Sequence, residues 1–442
     1  MKKIRSLPES DFLKLFFVCF AVFFLAAAVC MPDRASMFSG LWEIIIQPDK
    51  VPTSYFGVGG FAATFLNMGL VGMVCAALFI GFRAEANSVS TLAVILTTGF
   101  GAWGINVMNI WPSIAGVFLY ARVKKEPLSN LVHAMLFSTG LAPLITDLMV
   151  RYPHDTVVGF NLMGVGMALA VGACIGFLMP AGMEHSPKVH KGFDLYSAAF
   201  PMGMIAFFLN ANLFKTMGIT LPDPGNTLGL VSPMICNTFC VILFGSCITA
   251  AFLLGCRPKD YWHLLTDPET IKSFSSAYGT PVFLMNVGMF GLFILGYYNL
   301  IGAPFNGVTF GVVFCMLATC NAGSHPGNVW PIMLGYVAAS SVFGWLSPMA
   351  GGTFEMQINA QSIVVGLCYA NGLSPIADKY GWQYGFLASV MHYLLVTSVP
   401  SLHGGFCLYN GGFTAALICV ILVPELERFC RTKDERKALK SK

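Results

Sequence analysis

Long apolar stretches follow one another along almost the whole chain, separated by short polar segments. The stretches at 12–31 and 157–180 are long enough for an α-helix to cross the hydrocarbon core of a bilayer, which takes about 20 residues. They lack the alternating pattern of barrel strands, and lipid offers no partner to an open backbone, so the pattern predicts helices. Basic residues precede 12–31 but no small-residue cleavage site follows it, so we expect a retained first helix. Seven segments are followed by seven more: 12–31, 57–81, 89–107, 108–122, 131–150, 157–180 and 193–212, then 229–255, 279–299, 305–323, 328–347, 359–376, 380–400 and 404–424.

Four short motifs occur twice in the chain and in the same order. Such recurrence indicates an internal duplication. Between the copies, KTMGITLPDPGNT at 215–227 has the prolines and glycines typical of a linker. We therefore predict a first membrane repeat at 1–214, a linker at 215–228, a second repeat at 229–427 and a basic tail at 428–442. The paired motifs are FLNMGLVGM (65–73) with LMNVGMFGL (284–292), NIWPSIAG (109–116) with NVWPIMLG (328–335), TGLAPLITD (139–147) with NGLSPIAD (371–378), and HKGFDLYSAAF (190–200) with HGGFCLYNGGF (403–413).

The composition excludes a soluble domain. Hydrophobic residues make up 56% of the chain and charged residues only 10%, whereas soluble domains carry about 25% charged residues. Basic residues concentrate in the cytoplasmic loops of helical membrane proteins. If the N-terminus is cytoplasmic and every segment crosses, the outer loops hold only Arg34, Lys50, Arg151 and Lys215. This asymmetry predicts a multi-pass protein of the bacterial inner membrane with both termini in the cytoplasm.

Each half then contains an odd number of crossings. The second copy must therefore insert upside down relative to the first. Inverted repeats are the plan of many secondary transporters, with the solute site near the midplane at the repeat interface. We predict an all-α polytopic membrane protein built from two inverted-topology repeats of about seven membrane segments each, with broken or re-entrant helices.

Some of the segments are interrupted. Segment 108–122 is short for a full span and follows the Gly- and Asn-rich run GFGAWGINVMN. Its counterpart, CNAGSHPGNVWP at 320–331, contains two prolines and two glycines. Irregular backbone inside a membrane is tolerated where it is buried in protein or lines a cavity. We therefore interpret 89–122 and 305–347 as helical hairpins or re-entrant pairs. A second discontinuous helix is expected in each half, at the Gly-Leu-x-Pro elements 140–143 and 372–375.

Neutral side chains that both donate and accept hydrogen bonds lie at these breaks. Broken helices also expose unpaired N–H and C=O groups, which bind anions and cations respectively. The alternative is that the asparagines cap the broken helices and the tryptophans only pack. For the two Asn-x-Trp-Pro elements together we favour a solute path, and we expect Asn109 and Asn328 to face each other across one cavity. The candidate solute-binding residues are Asn106, Asn109, Trp111, Asn321, His325, Asn328 and Trp330.

Titratable side chains inside a membrane are costly and usually functional. His190 and Asp194 are four residues apart, so on a helix they share one face and can pair. His403 repeats the histidine, but Cys407 replaces the acid, which is typical of an asymmetric site on a symmetric scaffold. His392 has no counterpart in the first half. For His190 and His403, which occupy equivalent positions in the two copies, the alternative is a capping role at the membrane interface. The candidate coupling residues are His190, Asp194, His392 and His403.

Motifs of familiar enzymes are absent from the sequence. It contains no nucleotide-binding loop, dinucleotide fingerprint, metalloprotease helix or nucleophile elbow. The fourteen cysteines show no metal-ligand spacing. We therefore predict a protein that is not an enzyme and has neither cofactor nor metal. The net charge of +4 needs no nucleic-acid partner, because the topology-setting loops and the tail account for it.

The duplicated HxGFxLYxxxF, NxWPxxxG and GLxPxxD elements cover most of both halves. They resemble those of an uncharacterised family of bacterial two-repeat membrane proteins with a domain of unknown function. The resemblance implies the architecture and not the solute. The plan is also analogous to that of the urea and ammonium transport families, whose signature motifs are not found here.

From these observations we predict a transporter that moves a small polar or anionic solute and is coupled to protons or sodium. One alternative is a passive channel of the urea or ammonium type. Another is a membrane-embedded enzyme acting on a lipid-linked substrate. The expected partners are the solute, H+ or Na+, the lipid bilayer and, in a homo-oligomer, further copies of the chain.

Overall fold

The structure is a computed structural model, and it describes residues 5–48, 51–222, 229–267 and 273–440. All regular secondary structure in these residues is helical. In chain order the helices are α1 (Glu9–Cys30), α2 (Met37–Ile46), α3 (Tyr55–Gly81), α4 (Ser88–Phe100), α5 (Trp111–Lys124), α6 (Leu128–Phe137), α7 (Ala142–Arg151), α8 (Leu162–His190), α9 (Ala199–Asn210), α10 (Pro233–Leu253), α11 (Pro258–Thr266), α12 (Phe274–Ala277), α13 (Thr280–Leu300), α14 (Gly307–Leu317), α15 (Pro326–Met349), α16 (Gln361–Ala370), α17 (Ser374–Tyr380), α18 (Trp382–Val396), α19 (Val399–Leu402), α20 (Asn410–Phe429) and α21 (Lys433–Lys440).

Within the described residues, seven helical stretches are long and apolar enough to cross a membrane. They are α1, α3, α8, α10, α13, α15 and the pair α6–α7, which runs through Leu128–Arg151. Two shorter apolar helices occupy Ser88–Phe100 and Gly307–Asn321. This confirms the prediction of a polytopic helical membrane protein.

Equivalent helices pack in equivalent ways in the two halves. In the first half α1 lies against α3, where Gly69 and Gly72 leave room for Leu25 and Ala21. In the second half α10 lies against α13, where Gly288 leaves room for Ile248. Glycine at such contacts allows close approach of helices, as is common in membranes.

The central pair of helices, α4 and α14, joins the two halves. Gly99 and Gly311 bring their backbones into close contact. Asn321, just beyond α14, donates to Thr91 Oγ1 near the start of α4 at 3.1 Å. The pair is therefore antiparallel, which is the arrangement that two inverted halves predict for these two helices.

Both ends of the described chain lie at one end of the bundle, which we call the terminal face. Ser275 donates to Glu9 Oε1 at the start of α1 (2.6 Å). The neighbouring Phe274 ring contacts His325 with 6.0 Å between ring centroids, and Lys433 of α21 lies near His325. The other end of the bundle, where α1 ends and α3 begins, is called the opposite face.

The predicted interruptions are present, with one difference. Short 3-10 turns at Ser138–Leu141 and Asn371–Leu373 separate α6 from α7 and α16 from α17, as the Gly-Leu-x-Pro elements predict. α5 has 14 residues and stops at Lys125, which adopts a left-handed conformation. Its counterpart α15 has 24 residues, enough to span a membrane. The second pair, at 305–347, therefore combines the short helix α14 with one of membrane-spanning length.

Helices α2 and α11 are not among the membrane-length segments predicted from the sequence. α2 has 10 residues and α11 has 9, so neither reaches the length of a span. α2 lies at the opposite face against α3, with Gly40 beside Gly59. α11 occupies the equivalent position in the second half, where Tyr261 donates to Asn286 Oδ1 of α13 at 3.1 Å.

Candidate functional site

The two interruptions of the central helices, residues 101–110 and 322–325, are here called the first break and the second break. Each contains a glycine that only tolerates its conformation because it has no side chain: φ is +125° at Gly104 and +136° at Gly323. A proline then restarts the helix, since Pro112 and Pro326 lie in the first turn of α5 and α15, where no N–H is needed.

A buried asparagine on the neighbouring long helix holds each break. Asn67 of α3 donates from Nδ2 to Gly101 O (2.7 Å) and Ile105 O (2.8 Å). Asn286 of α13 donates in the same way to Cys320 O (2.7 Å) and Ser324 O (3.0 Å). Carbonyls freed by the interruption thus find partners inside the protein. Sequence reasoning missed both residues, although they occupy the same position of a duplicated motif.

The duplicated Asn-x-Trp-Pro asparagines also bind their own breaks. Asn109 donates to Gly104 O and to Thr146 Oγ1, both at 3.0 Å. Asn328 donates to Gly323 O and to Asp378 Oδ2, both at 2.8 Å. The geometry is that of the capping alternative. Solute binding by Asn109 and Asn328 stays a prediction.

The two asparagines do not face each other. In the first break, Asn106 donates to Ile44 O of α2 at 3.4 Å, toward the opposite face. Immediately before the second break, Asn321 donates to Ser275 Oγ at 2.9 Å, and Ser275 contacts Glu9 at the terminal face. Helix α1 runs from the terminal face to the opposite face. It has 22 residues, so the two faces are about 33 Å apart. An inverted repeat places equivalent breaks at opposite depths, which the expectation of one shared cavity overlooked.

The tryptophans of the two elements are partly exposed. Trp111 is 44% exposed and Trp330 is 40% exposed, with Trp330 packed on Trp382 at 5.8 Å between ring centroids. In contrast, Asn106, Asn321 and His325 are buried. The structure therefore does not gather the seven candidate solute-binding residues around one point.

Each half donates a backbone hydrogen bond to the interrupted helix of the other half, an arrangement here called reciprocal closure. Leu195 N–H donates to Gly372 O at 3.0 Å, and its counterpart Leu408 N–H donates to Gly140 O at 2.9 Å. These four residues belong to the HxGFxLYxxxF and Gly-Leu-x-Pro motifs. The duplicated motifs thus meet across the interface between the halves, at two symmetry-related places.

The tyrosines of the same motifs meet at the centre. Tyr196 donates its hydroxyl to a cluster of acceptors that includes Asn371 Oδ1 at 3.0 Å. Its ring stands edge-on to Tyr369, with 4.9 Å between centroids. Tyr409, the counterpart of Tyr196, is buried, and its hydroxyl has no hydrogen-bond partner in the residues that the structure describes.

The candidate coupling residues take different surroundings. His190 ends α8, and its Nδ1 accepts from the backbone N–H of Asp194 at 3.3 Å, while Nε2 lies 2.8 Å from Ser197 Oγ. Asp194 lies beyond the helix, so the two side chains do not pair on one helix face. His392 is buried between Tyr336 and Gly411, with both ring nitrogens in hydrogen bonds.

Asp194 and His403 each retain an unused polar atom. Asp194 is 2% exposed, and its Oδ1 accepts from Tyr196 N at 2.9 Å. Its Oδ2 is buried without a hydrogen-bond partner in the described part of the chain. His403 contacts Asn410 Oδ1 through Nδ1, and its Nε2 is likewise buried and unpartnered there. Both atoms are available to a proton or a ligand.

Carboxylates also break the symmetry of the Gly-Leu-x-Pro segments. Asp147 forms a buried ion pair with Arg151 one turn later, at 2.8 Å. Asp378 is the structural counterpart of Thr146, since each accepts from the equivalent asparagine. The second half therefore carries a partly buried carboxylate where the first half has a hydroxyl.

Two adjoining cavities lie on the side of the terminal face. The central cavity has a volume of about 250 Å³ and is bounded by α4, the 190–200 loop, Tyr369 and Tyr409. The vestibule has a volume of about 440 Å³ and is bounded by α4, α5, α6 and α8. Val89 and Met183 line both. The two cavities therefore adjoin at these side chains, on the side of the terminal face.

Family membership follows the same division of the chain. The family model described as "Protein of unknown function (DUF1576)" matches residues 33–215 and 258–428, well over half of the chain. The chain belongs to this family. The matched regions of this DUF1576 protein begin just after α1 and just after α10, the equivalent first long helices of the two halves. No curated protein and no solved structure matches the chain.

Proposed function

We propose that this DUF1576 protein is a membrane transporter whose solute binds in the central cavity and passes between the two inverted halves. The observation that carries the proposal is the position of that cavity. It lies where the 190–200 loop of the first half meets Tyr369 and Tyr409 of the second half. A shift of one half against the other would change its walls, as alternating access requires.

The orientation follows from the basic residues. Described basic residues at the terminal face include Arg5, Arg122, Lys124, Lys191 and Lys379. The opposite face has Arg34, Lys215 and the paired Arg151. Since cytoplasmic loops hold the excess of Lys and Arg, the terminal face is cytoplasmic and the vestibule opens to the cytoplasm.

Asp194 is the proposed coupling group. An ionised carboxylate buried without a partner is costly, so its Oδ2 needs a proton or an incoming cation. The second copy of the motif has no equivalent carboxylate, because Cys407 occupies the corresponding position. The side chain lies against Gly372, next to the point where the halves close each other. Its occupancy is therefore linked to the interface that must move.

Transport is tested in proteoliposomes that contain a pH-sensitive dye. The probes are urea, methylammonium, choline, glycine and lactate, each supplied with and without an imposed proton or sodium gradient. We expect accumulation of at least one probe that collapses when the ion gradient is dissipated. Flux that follows the solute gradient alone would favour the passive channel, and no flux of any probe through correctly folded protein would contradict the proposal.

The path is tested with a matched pair of substitutions. Val89→Trp fills the junction between vestibule and cavity and is expected to abolish uptake. Val123→Trp adds the same bulk to the exposed surface of α5 and should leave uptake unchanged. Asp194→Asn should remove the dependence on the ion gradient, whereas Asp260→Asn, at the exposed terminal face, should not. Equal uptake in the two Trp variants would place the path elsewhere.

A further inference from the structure

We infer that the solute is a small organic cation, with an alkylated ammonium group held by the tyrosines of the central cavity. The inference rests on the proposed function, since it names the solute of the same site. It replaces the polar or anionic solute expected from the sequence. The observations that carry it are the charge of the vestibule and the chemistry of the cavity walls.

The vestibule is lined by acidic side chains, at a face that also carries many basic residues. Its lining contains Glu126 and Glu184 and, among the residues that the structure describes, no lysine or arginine. The remaining polar groups are neutral amides and hydroxyls, with His133 held by Ser90 Oγ at 2.8 Å. A cleft lined by one sign of charge concentrates ions of the opposite sign. It therefore draws cations toward the cavity and disfavours anions.

Four aromatic side chains are among the residues that line the cavity, and each is at most 3% exposed. Phe137, Tyr196, Tyr369 and Tyr409 line it together with the Met183 thioether. The Tyr369 ring lies 6.5 Å from that of Tyr409 and 4.9 Å from that of Tyr196, measured between centroids. Ring faces attract a cation electrostatically, and aromatic enclosures of this kind suit quaternary ammonium groups.

The cavity offers few hydrogen bonds to a ligand. The Tyr196 hydroxyl is directed to backbone carbonyls and Asn371, and Ser197 Oγ is held by His190. The Tyr409 hydroxyl remains unused in the described residues. A primary ammonium would leave N–H groups unsatisfied, which is costly, whereas a methylated ammonium has few or none. An anion would meet no cationic side chain in this lining.

Binding is tested on the purified full-length protein with three probes. Tetramethylammonium and choline are compared with 3,3-dimethylbutan-1-ol, which has the shape of choline but a carbon in place of the nitrogen. Affinity is measured by calorimetry and by the shift in thermal unfolding. We expect choline to bind at least tenfold more tightly than the neutral analogue. Equal affinity of the two would overturn the inference, as would binding of lactate or urea in place of the cations.

Variants separate the two parts of the site. Tyr369→Leu should abolish choline binding, while Tyr369→Phe, which keeps the ring, should retain it within about threefold. The double substitution Glu126→Gln and Glu184→Gln should weaken binding several-fold at low salt and much less at high salt. Asp11→Asn, an exposed acid on α1 at the same face, is the control and should have no effect.

The outcomes also separate this inference from the proposed function. Cation binding without uptake in liposomes would keep the site and remove the transport role. Uptake of a neutral or anionic probe, with no binding of choline or tetramethylammonium, would keep the transport role and remove the cation. If Tyr369→Leu fails to fold, the neutral analogue and the double acid variant still decide the matter.

Discussion

Replacing Tyr196 or Tyr409 with phenylalanine removes only the hydroxyl group. The two substitutions therefore test what each hydroxyl contributes to the interface between the halves. Tyr196 Oη lies within hydrogen-bonding distance of Cys315 O (2.8 Å), Asn371 Oδ1 (3.0 Å) and Cys368 O (3.1 Å). The Tyr196 hydroxyl has one proton and donates it to one of these acceptors at a time. Tyr196→Phe therefore removes a single good hydrogen bond. The expected loss in free energy of unfolding is about 1 to 1.5 kcal/mol.

Tyr409→Phe removes a buried hydroxyl that has no partner in the described part of the chain. Loss of an unsatisfied buried polar group should leave the free energy of unfolding unchanged or raise it by up to about 1 kcal/mol. The assay is equilibrium unfolding of both variants in mixed micelles, followed by circular dichroism. The two variants should differ by about 2 kcal/mol. Equal destabilisation, or a larger loss for Tyr409→Phe, would refute this account of the interface.

Two further predictions concern the breaks. Asn286→Leu leaves two backbone carbonyls without their donor and should lower the free energy of unfolding by roughly 2 to 4 kcal/mol; Asn299→Ala, which removes hydrogen bonds to Asn237 and Leu295 O at an exposed position, should lower it by only about 0.5 to 1 kcal/mol in the same unfolding assay. Gly104→Ala forces a side chain into a left-handed conformation against Leu408 and should cost about 2 kcal/mol. Gly166→Ala, in the interior of α8 with open space around it, should instead stabilise by about 0.5 kcal/mol; a stable Gly104→Ala variant would contradict the strain argument.

The positions of the breaks could be predicted from the sequence because helix interruption is a local property. Gly and Pro fix where hydrogen bonding along a helix stops, and the repeated Gly-Leu-x-Pro elements mark 3-10 turns in the structure. The predicted segment 328–347 also approximates α15, which runs from Pro326 to Met349. Pro331 lies inside this helix, beyond the first turn where proline is tolerated, and the helix nevertheless continues to Met349.

The side-chain contacts in the candidate site could be predicted less well from the sequence. The sequence shows that Asn109 and Asn328 are available, but their direction depends on which carbonyls each break leaves free. The acidic character of the vestibule arises only when the loop between α5 and α6 and the helix α8 bring Glu126 and Glu184 to one place. In the sequence each of these glutamates is one charged residue among many. In the vestibule, the described lining contains them and no lysine or arginine.

The reciprocal closure, in which Leu195 meets Gly372 and Leu408 meets Gly140, bears on how such a chain could originate. A single-copy ancestor could not complete its own broken helix and would have needed a second, oppositely inserted copy beside it. Such a molecule must enter the membrane in both orientations, which requires a nearly balanced distribution of Lys and Arg. Gene fusion removes that requirement, since each copy is then free to acquire the basic residues that fix its direction. The charge asymmetry of the present chain is what a fused descendant of a dual-topology homodimer would carry.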